Sequence, residues 1–173
     1  GAGYGFDHVK IFAPNGMEVA KVPLPPLVDG YPANAGIARP ALQKVLAESA
    51  KKAGAAIRLG LTATTICDTG DWVDVRFSDG SEGRYDLVIG ADGIYSPTRG
   101  DIFPEAPKPE FTGQSVWRYN FDRPADTEGL HVYNGQIGVG LVPMSEQKIY
   151  MYVTTPEPGN PHFERSTLAE EMK

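Results

Sequence analysis

The residues best placed to do chemistry lie in the run LVIGADGIYSPTR, positions 87 to 99. Leu87, Val88 and Ile89 lead through Gly90 and Ala91 to an acid, Asp92, and Gly93 follows at once. A carboxylate at the exit of an apolar strand sits where ligands gather in open α/β sheets, at the carboxyl ends of the strands. Gly93 lets the backbone come close to such a ligand. Ser96-Pro97-Thr98 opens a helical turn whose free N–H groups can receive a phosphate or a carboxylate. Arg99 can pair with Asp92 or with an anion. A carboxylate in this setting suits sugar-like hydroxyls. The plainer alternative is a buried strand ending in an Asp-Gly turn.

Arg39 is the second candidate. It lies just before the first turn of the stretch ARPALQKVL, where its guanidinium is free to fork toward a phosphate or a hydroxyl. Other residue types offer less. His8, His131 and His162 lie far apart and fit no metal spacing. Cys67 has no visible basic partner, which predicts a buried, inert thiol. Tyr31, Tyr119 and Tyr133 could line an aromatic pocket, but core packing is the simpler reading for each. The opening GAGYGF has glycines at 1 and 3 but Phe6 where a phosphate-binding fingerprint needs a third, and no strand precedes it. It reads as loop. No residue is assigned as catalytic and none as a metal ligand.

These groups must be carried by regular elements. Phe6 to Leu24 reads as a hairpin, with Asn15-Gly16 as a tight primed turn. Residues 39 to 54 read as a helix: Pro40 fits the first turn, Leu42, Val45 and Leu46 share a face, Lys51 and Lys52 close it, and Gly54 ends it. Ala56 to Leu59 reads as a short strand. TATTICD and WVDVRF read as strands, and EGRYDLVIG returns from a turn at 78–80. Leu87 to Ile89 is uninterrupted, the mark of a strand buried on both faces. After a proline-rich, acidic linker, SVWRYNF, LHVYNGQIGVGLVPM and KIYMYVTT read as strands, with Asn134-Gly135 as a second hairpin signal. Phe163 to Met172 reads as the start of a helix that Thr167 caps, with Glu170 three positions on. The fold class is α/β shading into mixed α+β.

Composition narrows the function. Of 173 residues, 41% are hydrophobic and 22% charged, ordinary for a globular chain with a real core. A net charge of -6 argues against a general nucleic-acid binder. No apolar run is long enough to span a membrane, and no signal peptide is visible. A single cysteine cannot form an internal disulfide and fits a reducing cytoplasm.

LVIGADGIYSPTR closely resembles the Asp-Gly motif of the single-component flavin-dependent aromatic hydroxylases, of the para-hydroxybenzoate hydroxylase and salicylate hydroxylase type. Asp92, Gly93, Ser96 and Arg99 all match that pattern. Arg39, Leu42 and Leu46 resemble the family's Arg-x-x-Leu-x-x-x-Leu helix opening, whose arginine contacts FAD. By the same resemblance, Ala63 falls where a backbone group meets the adenine. SVWRYNFDRP, with its Trp117-Arg118 pair, and GVGLVPM look like the opening strands of the family's substrate-binding sheet. The resemblance implies residues 1–104 as part of an FAD-binding domain and 105–173 as part of a mostly antiparallel substrate-binding sheet. It implies FAD as cofactor, NADH or NADPH as reductant, and a small aromatic substrate. It covers nearly the whole chain but only the middle of the family pattern: the Gly-rich strand–helix and the later Gly-Asp motif have no match here. On that ground the chain alone is expected to be inactive. Halogenases and reductases of related fold are the alternative enzymes, and a non-enzymatic α/β binding module is the alternative outside enzymes. The flavoenzyme reading expects Arg39 and Asp92 to face one crevice.

Overall fold

A computed structural model describes residues 2–171. In chain order the elements are β1 (Tyr4–Phe6), β2 (His8–Phe12), β3 (Glu18–Pro23), β4 (Asn34–Gly36) and α1 (Arg39–Lys52). Then come β5 (Ala63–Asp68), β6 (Val73–Phe77), β7 (Glu82–Tyr85) and α2 (Pro97–Ile102). The last are β8 (Gln114–Asp122), β9 (Leu130–Tyr133), β10 (Gly138–Pro143), β11 (Lys148–Pro156) and α3 (Leu168–Glu171). This is the mixed α/β composition expected. The chain divides into two compact units, residues 1–50 with 111–173, and residues 51–110.

The first unit is built on a six-stranded sheet in the order β3-β2-β9-β10-β11-β8. All of its pairings are antiparallel except that of β2 with β9, which runs Val9 opposite Leu130 to Phe12 opposite Tyr133. The first hairpin, placed by the sequence with residues 1–104, therefore hydrogen-bonds into the later sheet. Ile149 on β11 is fully buried. A small sheet of β1 and β4 belongs to the same unit. Arg123 ties it down, with its guanidinium over the Tyr4 ring at 4.6 Å and Nη1 donating to the Tyr4 hydroxyl at 3.3 Å.

The turn chemistry differs from the sequence reading. Only Gly16 of the first turn has positive φ, at 83°. Asn15 has no positive φ, and a primed turn centred on Asn15-Gly16 needs one at both positions. Instead Gly16 N–H donates to the Ala13 carbonyl and Ala13 N–H to the Met17 carbonyl, each at 2.9 Å. Neither Asn134 nor Gly135 has positive φ either; β9 and β10 are joined by a four-residue loop. At the C-terminal end, the Thr167 hydroxyl donates to the Glu164 carbonyl and does not cap α3. Met172, the expected limit of that helix, and Gly1 of the opening glycines lie outside the described residues. Within GAGYGF, Tyr4–Phe6 forms β1, not loop.

On one face of the first sheet, His8 and His131 are buried, at 8% and 5% exposure, and neither Nε2 has a hydrogen-bond partner. Burial holds His131 below the ordinary imidazole value of 6.5; the Lys10 ammonium and His8 add to this, and Asp126 and Glu18 oppose it. The folded chain thus refuses a proton that the unfolded chain accepts below about pH 6.5. Stability is expected to be full above that pH and to fall as pH drops toward the depressed folded value. Urea midpoints from pH 7.5 to 5 check this: the slope should flatten in His131→Phe, and an identical slope in that variant would contradict it.

In the second unit, β5, β6 and β7 form an antiparallel sheet around the buried Val75. Two expected strands are absent here. Neither Ala56–Leu59 nor Leu87–Ile89 is a strand, and Leu87 and Ile89 are 71% and 78% exposed. An apolar run becomes a buried strand only where neighbours pair with it, and no described residue does so. Cys67, expected buried, is exposed on β5. Tyr31 and Tyr119 are exposed as well, whereas Tyr133 stacks on Phe12 at 4.6 Å between centroids.

Candidate functional site

The Asp92 loop is a closed set of local hydrogen bonds. Asp92 Oδ1 accepts from the Ser96 hydroxyl at 2.5 Å, and Oδ2 accepts from the Thr98 N–H at 3.1 Å. Ser96 is the N-cap of α2, its Oγ accepting from the Arg99 N–H at 3.0 Å, with Pro97 next in the first turn. The Arg99 guanidinium turns back to donate to the Ile94 carbonyl at 2.5 Å, and does not pair with Asp92. Each motif residue therefore has a part in shaping the loop. Gly90 is packed against Thr98, whose Cγ2 lies 2.9 Å from where a Cβ would stand. Gly93 has φ 90° and open space beside it. Only glycine adopts that conformation freely, and the open side leaves backbone accessible to a ligand. Gly90, Asp92, Gly93, Ser96, Thr98 and Arg99 line a cavity of about 320 Å³.

The Ser96 hydroxyl first, and the Thr98 N–H second, hold the Asp92 carboxyl down at about 2. The group is therefore a carboxylate at any physiological pH. Each of its oxygens has a second lone pair, so Asp92 can still accept a hydroxyl from a ligand. Ser96→Ala is expected to raise the Asp92 pKa from about 2 toward 3.8. A ¹³C NMR titration of the carboxyl checks it, and an unchanged value would contradict the assignment.

The second constellation belongs to the first unit. Gly36, at the end of β4, lies directly on β10: a Cβ there would overlap the Pro143 carbonyl oxygen. That contact fixes the segment leading into α1, so Arg39 opens its helix over the large sheet. A cavity of about 580 Å³ lies there, with Arg39, Arg118, Asn120, Met144 and Tyr150 in its wall. Arg118 and Asn120 alternate on β8 and so share a face, and Tyr150 is the cross-strand partner of Asn120. Every lining residue is neutral or cationic. Arg118, Asn120 and Tyr150 escaped the sequence reading as site residues. The Trp117-Arg118 pair and the period-two spacing of β8 were the available signals. Ala63 opens β5 opposite Phe77, exposed, in the second unit with Asp92 and Gly93.

The fold is of mixed α/β type, and an ionised acceptor beside open glycine backbone suits a ligand that brings hydroxyl groups. Residues 11–172 match the FAD binding domain family, and the chain belongs to it. YetM of Bacillus subtilis (strain 168), classed only provisionally as an FAD-dependent monooxygenase, is 25% identical over 99% of this chain and 47% of its own. The FAD-dependent urate hydroxylase of Klebsiella pneumoniae subsp. pneumoniae is 29% identical over 67% of this chain and 31% of its own. The crystal structure of Klebsiella pneumoniae HpxO complexed with FAD and uric acid has the same fold. It superposes with a TM-score of 0.82 at 23% identity, covering 98% of this chain and 44% of that one. The chain thus spans between about a third and a half of these relatives' length.

Proposed function

We propose that this chain is the central part of an FAD-dependent monooxygenase that uses NADH or NADPH to hydroxylate a small aromatic substrate. Bound FAD supplies the redox and dioxygen chemistry; the chain binds and orients cofactor and ring and keeps water out. Asp92 accepts hydroxyls of the cofactor's sugar or ribityl portion, and Gly93 permits its close approach. Arg39 forks toward a phosphate or a ribityl oxygen, and the backbone at Ala63 meets the adenine. The large sheet, including the strands after Phe111, faces the substrate. An exposed free thiol at Cys67 is compatible with a reducing cytoplasm as the place of work.

The observation that carries this reading is the Asp92–Gly93 loop, ionised and open on the side where a cofactor would lie. Relatives named for hydroxylating urate and for making a hydroxyquinolone support the aromatic substrate. The test uses the whole gene product that carries this chain. Its released flavin should be FAD, and NAD(P)H oxidation under ¹⁸O₂ with aromatic acids and hydroxyquinolines should place one labelled oxygen in the product. FAD with no labelled oxygen would favour a halogenase or reductase instead. Protein without flavin would overturn the reading.

A further inference from the structure

Arg123 differs from the other ion-paired arginines in its burial. Its side chain is 10% exposed, against 50% to 62% for Arg58, Arg76 and Arg84. Its acidic partner, Glu146, lies 3.0 Å away and is open to solvent. A guanidinium taken out of water is costly unless its donors are met. Here they are met from three separate segments. Nε donates to the Glu146 carbonyl at 3.1 Å and Nη2 to its Oε2, both in the turn between β10 and β11. Nη1 donates to the carbonyl of the fully buried Thr127 at 2.9 Å, and to the Tyr4 hydroxyl of β1. The guanidinium also covers the face of the Tyr4 ring. None of the cofactor-binding residues named above is among these partners.

What this knot holds leads to Arg39. Tyr4 stands opposite Gly36 in the β1–β4 pair. The packing along that pair is tight. A Cβ at Gly3 would stand 2.7 Å from the Gly36 carbonyl oxygen, and one at Gly5 2.7 Å from the Pro32 ring. Gly36 in turn rests on the Pro143 carbonyl of β10. Strand β4 is therefore gripped by β1 and by β10, and a shift of β1 must move it. Arg39 opens α1 three residues after Gly36. The Ala38 carbonyl already accepts from the Leu42 N–H at 3.0 Å, so little free chain separates strand from helix. The Arg39 side chain is exposed, and its aim follows from where its backbone is set. Resting on the flavoenzyme reading above, we propose that Arg123 is a positioning residue for the cofactor. Through Tyr4 and the β1–β4 pair it fixes where Arg39 stands when FAD binds, without touching FAD itself.

A guanidinium so well bonded also stabilises the fold, and the test separates the two roles. FAD is titrated into the flavin-stripped whole gene product, and quenching of its fluorescence gives the Kd. The single variants are Arg123→Met, Tyr4→Leu, Arg39→Met and Asp92→Ala, each with its melting temperature. Tyr4→Leu breaks only the link to β1 and leaves Arg123 bonded to Thr127 and Glu146, so it serves even where Arg123→Met fails to fold. The Kd should rise roughly two- to thirtyfold in Arg123→Met and in Tyr4→Leu. Combined with Arg39→Met, the same substitutions should add nothing further. Combined with Asp92→Ala, they should keep their full effect. A purely structural role would weaken FAD equally in both backgrounds, and that result would overturn the proposal. So would wild-type affinity in Tyr4→Leu, or an Arg39→Met that binds FAD as the wild type does. A wild type that takes up no FAD would instead bring down the flavoenzyme reading itself.

Discussion

Gly36→Ala is expected to destabilise the first unit by about 3 kcal/mol, the upper end of what overpacking costs. The added methyl would enter the Pro143 carbonyl oxygen and crowd the Val142 side chain, both on the central strand β10. Neither can yield cheaply: Pro143 is fully buried, and β10 is bonded to a neighbour on each side. The segment before α1 must lift instead, carrying Arg39 off the sheet. For a chain of this size the melting temperature should fall by roughly 2–4 °C per kcal/mol. Gly100→Ala is the matched control. It lies inside α2 at a negative φ with nothing near its Cβ position, so it should be neutral or stabilising by up to about 1 kcal/mol. Equal melting temperatures for the two variants would show that β4 does not bear on β10.

Asp92→Ala is expected to weaken FAD binding by roughly ten- to hundredfold, the cost of losing charge-assisted hydrogen bonds. Two losses combine. The cofactor loses an ionised acceptor, and Ser96 and the Thr98 N–H lose the group that closes the loop. Ser96→Ala separates them, since it loosens the loop but keeps the carboxylate; its effect on FAD affinity should be smaller. The pH dependence follows with a definite sign. A carboxyl held at about 2 in the fold and 3.8 when unfolded contributes fully above pH 3.8. That contribution is lost as pH falls through about 2. Asp92→Asn should abolish this acid-side step in the amide exchange of Thr98 and Arg99. Fluorescence quenching of titrated FAD gives the affinities, and wild-type affinity in Asp92→Ala would refute its role.

The Asp-Gly loop was legible in the sequence because its bonds are local. Asp92, Ser96, Thr98 and Arg99 find their partners within six residues, so spacing alone carries the geometry. Helix α1 was legible for the same reason, down to Gly54 with its φ of 89°. What failed was whatever depends on a distant partner. Leu87–Ile89 has the composition of a buried strand, but pairing is not written in the run itself. The apolar row of Leu42, Val45 and Leu46 has helical period yet remains exposed. The parallel pairing of β2 with β9 joins segments at opposite ends of the chain, and no local signal announces it. The substrate-side cavity was hidden likewise, because Gly36, Arg39, Arg118 and Tyr150 meet only through strand register.

A crystal structure of the whole gene product grown with FAD tests the central claim most directly. An Asp92 carboxylate oxygen is predicted within about 3 Å of a cofactor hydroxyl, with the Arg39 guanidinium on a phosphate or ribityl oxygen of the same molecule. FAD bound with both side chains turned to solvent, or on a surface that includes neither, would contradict it.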